Sequence, residues 1–196
     1  MRRSLVFILL VALLLTPVPS VQAKSSKSKL EQFLDTTMLD KEIWQACKKW
    51  GSKYNVSPFL IASVIETESG GDPNAYNGGC VGLMQVSVYY NKDRAKKLGV
   101  ADFYSKSGNV KIGTHLLAEL LKKYDKGRAL MCYNMGEGGA SKVRHLTRYA
   151  KNIMSREKEI KKSYKKIFKT TKVMIKSKLF RAKTKVLVIK RFGLDV

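Results

Sequence analysis

One stretch constrains this chain more than any other: Ser57 to Gln85, SPFLIASVIETESGGDPNAYNGGCVGLMQ. It opens with a capping serine and a proline at the first helical position. Leu60, Ile61, Val64 and Ile65 then recur at helical spacing, and Gly70-Gly71, Pro73 and Asn77-Gly78-Gly79 break the run into loops or a small hairpin. At about 100° per residue, Glu68 lies about 20° from Ile61, about 40° from Val64 and about 60° from Ile65. Glu68 is therefore expected on the apolar stripe, in the last turn before the break. Glu66 is about 200° away from it and is expected as a solvated residue, facing solvent or a partner element. Burial disfavours a charged carboxylate and raises its pKa, which suits a general acid. From the pattern alone, a carboxylate tied to a neighbouring helix by hydrogen bonds or a lysine fits Glu68 equally well.

Elsewhere the periodicity is again helical. Ile43, Trp44, Cys47 and Trp50 mark a helix within Leu39 to Tyr54, closed by Gly51, and Asn91 to Leu98 reads as a short, charged, exposed helix. Asn109 is expected to cap a helix whose inner stripe is Ile112, Leu116 and Leu120, with Leu117 and Leu121 as further candidates and Gly113 admitting a close neighbour. Ala129 to Asn134 begins another helix, which Gly136, Gly138 and Gly139 are expected to interrupt before Val143 to Ile153 resumes. With 196 residues and no internal repeat, one main core is expected. The fold class is mainly α, a helical bundle with a small irregular or hairpin insertion and a basic helical C-terminal extension.

The formal charge of +23 is unevenly spread: Lys151 to Val196 holds 16 basic and 3 acidic residues. Residues 155–196 read as a basic amphipathic extension, with Ile160, Tyr164, Ile167, Phe168, Thr171 and Ile175 at helical spacing and a β-branched run at Val186 to Ile189. Residues 1–23 have the layout of a signal peptide: Arg2 and Arg3, the apolar run Leu5 to Leu15, then Val21-Gln22-Ala23. Cleavage would leave a flexible basic leader over 24–38, beginning KSSKSK, and a domain over 39–154. Without cleavage the segment would be an anchor, although its apolar run is short of the roughly 20 residues a span needs. Either way the domain is placed outside the cytoplasm, in the periplasm or at the cell wall. That location turns the charge away from specific nucleic acid and toward anionic wall polymers or a membrane surface. Cys47, Cys80 and Cys132 with two histidines match no zinc spacing, so no metal or cofactor is expected; the thiols are either all free or include one pair.

Three blocks in this order resemble the soluble-type lytic transglycosylase family, the SLT domain related to goose-type lysozyme. They are Val64-Ile-Glu-Thr-Glu68-Ser69 running on to Pro73-Asn74-Ala75, then Gly82-Leu83-Met84-Gln85, then Cys132-Tyr133-Asn134-Met135-Gly136-Glu137-Gly138. The resemblance covers roughly Lys41 to Ala150 and implies a lysozyme-like α+β fold. It implies Glu68 as the single catalytic acid/base, with Ser69 beside it shaping the site. Gln85 would hydrogen-bond sugar, Tyr133 would reach the Glu68 carboxyl, and Asn134 would hold adjacent backbone or substrate. The family's Met-Pro is replaced here by Ser87-Val88, which removes an apolar contact for an N-acetyl group. The implied substrate is the peptidoglycan glycan strand, the implied product a 1,6-anhydromuramic end, and the enzyme is expected to act as a monomer.

Glycoside hydrolysis normally uses two carboxylates about 5 to 9.5 Å apart. Only Glu68 sits well; Asp72 is the nearest second acid, and Pro73 beside it points to a turn. Two alternatives stay open on the sequence: a goose-type muramidase using Glu68 with an acid such as Asp72, and a non-catalytic cationic wall-binding protein.

Overall fold

The computed structural model describes residues 27–169. The expected signal peptide, the first residues of the leader and the far tail, including Val186 to Ile189, lie outside them. Helices α1 (Lys29–Leu34), α2 (Lys41–Tyr54) and α3 (Pro58–Ser69) lead to strands β1 (Tyr76–Asn77), β2 (Cys80–Val81) and β3 (Val86–Ser87). Then come α4 (Val88–Leu98), α5 (Lys106–Lys123), α6 (Lys126–Ser141) and α7, over 148–169. The mainly α expectation with a hairpin insertion matches this architecture, the strands forming one antiparallel sheet in the order β1-β2-β3.

Local chemistry sets the helix ends. Asp40 accepts from the Ile43 amide at 2.7 Å to start α2, and Ser57 with Pro58 starts α3. Gly70, in the left-handed region at φ 63°, stops α3, and its amide returns to the Glu66 carbonyl. Helix α5 packs against α2 and α6, and α2 against α3. Trp50 stitches α2 to α5 by donating its indole N–H to Ser107 Oγ at 3.0 Å.

The structure corrects several boundaries. Residues 28–34 are not a flexible leader: Ser28 and Glu31 close a capping box, and Phe33 is fully buried against Trp44 and Tyr164. The division at 154/155 falls inside α7, where Ile153 and Ile160 are both fully buried and Tyr164 stacks among Trp44, Phe59 and Phe168. As expected, Gly136 interrupts α6, leaving the helical region at φ 72° and ψ 162°, while Gly138 and Gly139 stay within the helical turns that follow. A second break comes over 142–147, where Arg128 donates to the Val143 carbonyl at 2.9 Å. The helix near 91 begins at Val88, and Asn91 is buried in it.

Asn109 does not cap α5; Ser105 holds that position. Asn109 is buried in the first turn and acts as a pin. Its Oδ1 accepts from the Met84 amide, and its Nδ2 donates to the Val81 and Phe103 carbonyls, all at 2.8 Å. A pin this close demands glycine opposite: a Cβ on Gly82 would stand 2.5 Å from Asn109 Nδ2, and the backbone there has φ +70°. The Gly82–Gln85 turn is thereby fixed against α5. All three cysteines are free, Cys47 and Cys132 buried and Cys80 half-buried. Among the described residues no helix is long and apolar enough to cross a membrane.

Candidate active site

An open cleft of about 1080 Å³ runs between the end of α3, the small sheet, α4, and the kinked part of α6. Glu68, Ser69, Gln85, Tyr133 and Asn134 all line it, with Cys80, Asn91, Arg94, Leu116 and Leu120 among the walls. Five residues nominated from the sequence thus meet at one site, although their contacts differ from those expected.

Glu68 is half-buried at the last turn of α3. Its carboxyl is held above the ordinary carboxylate range because burial disfavours the anion, partly offset by a hydrogen bond from Tyr149. That bond runs from Tyr149 Oη to Glu68 Oε1 at 2.5 Å. Tyr149, itself half-buried and held well above its usual pKa by desolvation and by the charge of Glu68, stays a donor. It does not line the cleft but grips the carboxyl from α7. Among the described residues no cation pairs with Glu68, so lysine pairing does not account for its place.

The expected role of Tyr133 is corrected by this geometry. Its hydroxyl donates to the Met84 carbonyl at 2.8 Å, bracing the glycine turn, and Tyr149 takes the place at Glu68. Gly113 makes the brace possible: a Cβ there would lie 2.7 Å from Met84 Sδ and 3.0 Å from Tyr133 Oη. Reasoning from the sequence misses Tyr149. The signal that could have found it is the stripe Tyr149, Ile153, Arg156, Ile160 at helical spacing, which marks the buried face of α7.

Ser69 is also a brace. Its Oγ donates to the Leu83 carbonyl at 2.8 Å, lies 3.1 Å from the Ile65 carbonyl, and accepts from the Gly71 amide at 3.2 Å. Gln85 has φ 45°, and its Nε2 donates to the Ala75 and Gly82 carbonyls at 3.1 and 3.0 Å, which tie the turn to the loop after α3. Asn134 is exposed in the cleft wall beside the Gly136 kink.

Glu66 is not solvated. Its side chain is only 6% exposed, pairs with Arg156 Nε at 2.5 Å, and accepts from the Met38 amide at 2.9 Å. The hydrogen-bonded tie to a neighbouring helix that the pattern left open for Glu68 is made by Tyr149, and Glu66 is tied to the same helix by an ion pair. Arg156 follows Tyr149 by about two turns of α7, so one helix grips both glutamates of α3.

The other carboxylates leave Glu68 without an obvious twin. Asp72 stays outside the cleft lining and accepts from the Asn74 amide at 2.8 Å, a turn role. Glu137 lines the outer wall, exposed, with Lys123 at 3.0 Å on one oxygen and Tyr124 Oη at 3.1 Å on the other. These bonds hold its carboxyl below the usual range, the wrong direction for an acid. Among the described residues no group of side chains is arranged to hold a metal ion.

The Tyr149 bond favours the charged form of Glu68, so removing it should push the Glu68 pKa higher still. Tyr149→Phe is expected to move the alkaline limb of the pH–activity profile to higher pH while lowering the maximal rate. An unmoved limb would show that Tyr149 does not act on Glu68.

A family model described as the Transglycosylase SLT domain matches residues 45–164. A protein named transglycosylase from Enterobacteria phage PRD1 is 37% identical over 100 residues, which span 50% of this chain and 36% of that protein. The X-ray structure of an inactive mutant of lytic transglycosylase Slt from Pseudomonas aeruginosa matches with a TM-score of 0.51 at 20% sequence identity. That match covers 58% of this chain and 23% of the solved one, and shows the shared fold. This chain therefore spans a minor part of the length of both.

Proposed function

The chain belongs to the Transglycosylase SLT domain family, and from that membership we propose that it is a peptidoglycan lytic transglycosylase with Glu68 as its acid and base. The observation that carries this reading is a half-buried carboxyl of raised pKa, without a cation partner, at the floor of an open cleft.

Glu68 protonates the glycosidic oxygen between N-acetylmuramic acid and N-acetylglucosamine as the bond to C1 breaks. The resulting carboxylate takes the proton of the muramyl 6-hydroxyl, whose oxygen closes onto C1. A 1,6-anhydro end forms and Glu68 is protonated again. The substrate's N-acetyl group can stabilise the cation between these steps, so a second protein carboxylate is unnecessary. Tyr149 orients the carboxyl and stabilises its anionic phase, and the braces on Met84 and Leu83 keep the cleft floor from moving with the charge. The Pseudomonas aeruginosa relative was solved as an inactive glutamate-to-glutamine mutant, which supports a glutamate-dependent reaction here.

Export through residues 1–23 would bring the domain to its substrate, and the basic end of the chain would retain it on anionic wall polymer or membrane. Mass spectrometry of digested cell walls tests the chemistry: 1,6-anhydromuropeptides are the expected products. Reducing ends alone would assign a muramidase, and intact walls a binding protein.

A further inference from the structure

Three tyrosines within fifteen residues stand largely in solvent: Tyr76 is 69% exposed, Tyr89 84% and Tyr90 82%. With Val88 they gather much of the exposed apolar surface of the described residues onto one edge of the sheet and the start of α4. Exposed apolar groups clustered at a groove mark a surface that something covers.

Tyr76 and Tyr90 both line the cleft that holds Glu68, one from β1 and one from the first turn of α4. Tyr89 packs edge-on to Tyr90, with ring centroids 5.0 Å apart. The backbone that presents these rings is firmly held. Tyr76 pairs with Val81, Val81 pairs with Val86, and β3 runs straight into α4. Asn91 Nδ2 returns to the Ser87 carbonyl at 2.9 Å, and Arg94 pairs with Glu119 of α5 at 2.5 Å. Little ordering is left to be lost when a ligand arrives.

The cleft chemistry selects the ligand. A pyranose ring offers an apolar face of C–H groups and a polar rim, and it is covered best by a flat amphipathic ring such as tyrosine. The two tyrosines stand on the exposed rim, whereas Glu68 is on the half-buried floor, so a sugar stacked on them is displaced from the bond being cut. We propose that Tyr76 and Tyr90 form a glycan-binding subsite that stacks on an N-acetylhexosamine ring of the bound strand away from the scissile bond. This rests on the cleft being a glycan site.

The test is calorimetry with a soluble hexamer of N-acetylglucosamine, using the full chain carrying Glu68→Gln so that no cleavage intervenes. Adding Tyr76→Ala and Tyr90→Ala is expected to weaken binding about tenfold, the scale of two aromatic contacts, and Tyr→Phe at both positions to restore it. Both side chains are exposed, so an unchanged melting temperature confirms that the fold is intact. Equal affinity in the alanine and parent chains would overturn the subsite alone. No hexamer binding by the parent would overturn the subsite and the glycan cleft together. Alanine-sensitive binding without anhydro products from walls would uphold the subsite and refute only the proposed chemistry.

Discussion

Glu68→Gln is expected to lower the rate of glycan cleavage by about 10³-fold, within the range that removing a general acid costs. Glutamine keeps the volume and can still accept from Tyr149, but it has no acidic proton to deliver to the leaving oxygen. The same substitution should stabilise the fold at neutral pH. Burial raises the folded-state pKa of Glu68 above its unfolded value of 4.5. The carboxyl therefore contributes stability that is fully present below pH 4.5 and lost as pH rises through the folded pKa. At pH 7, above the unfolded value, the wild type has lost stability that the non-ionising variant keeps, so the variant should melt higher there, with the difference shrinking toward pH 4. Wild-type rates of wall digestion by Glu68→Gln would remove Glu68 from the chemistry. A variant that melts lower at pH 7 would contradict the burial argument.

Arg156→Leu is expected to cost about 3 kcal/mol, the scale for leaving a buried carboxylate without its partner. For a domain of this size that is roughly a 10 °C fall in Tm. Glu66 is only 6% exposed on its side chain, and Arg156 also donates to the Thr36 carbonyl at 2.8 Å. The loss should reach the active site, because Tyr149 rides on the same helix and α7 would no longer be locked to α3. Cleavage should fall even well below the new Tm. Adding Glu66→Leu should return much of the stability, since the penalty lies in the unpaired charge. Thermal melts of both single variants and the double variant measure the coupling; additive losses would show that the two residues act independently.

Much of the site is legible in the sequence. Glu68 follows from helix geometry, because a run from Leu60 to Glu68 with one apolar face fixes which way its last turn points. The end of α3 at Gly70 and the kink at Gly136 are legible because glycine is the residue that enters φ > 0 at little cost. What fails is the assignment of partners. Tyr133 and Tyr149 are both tyrosines on helices, and no local pattern says which hydroxyl reaches a carboxyl across the fold. Asn109 looks like a cap because asparagine caps helices often. Its amide instead satisfies three backbone groups of segments outside its own helix.

Glu66 shows where such reasoning stops. Periodicity tells correctly that it faces away from Glu68 and wrongly that this direction is solvent, because Arg156 of α7, 90 residues later in the chain, covers that side. Helical period, chain breaks and the position of the acid are properties of neighbouring residues, so the sequence alone determined them. Whether a second face is buried, which tyrosine grips the acid and which arginine neutralises its neighbour depend on how α7 packs across α3, and only the tertiary structure decided them.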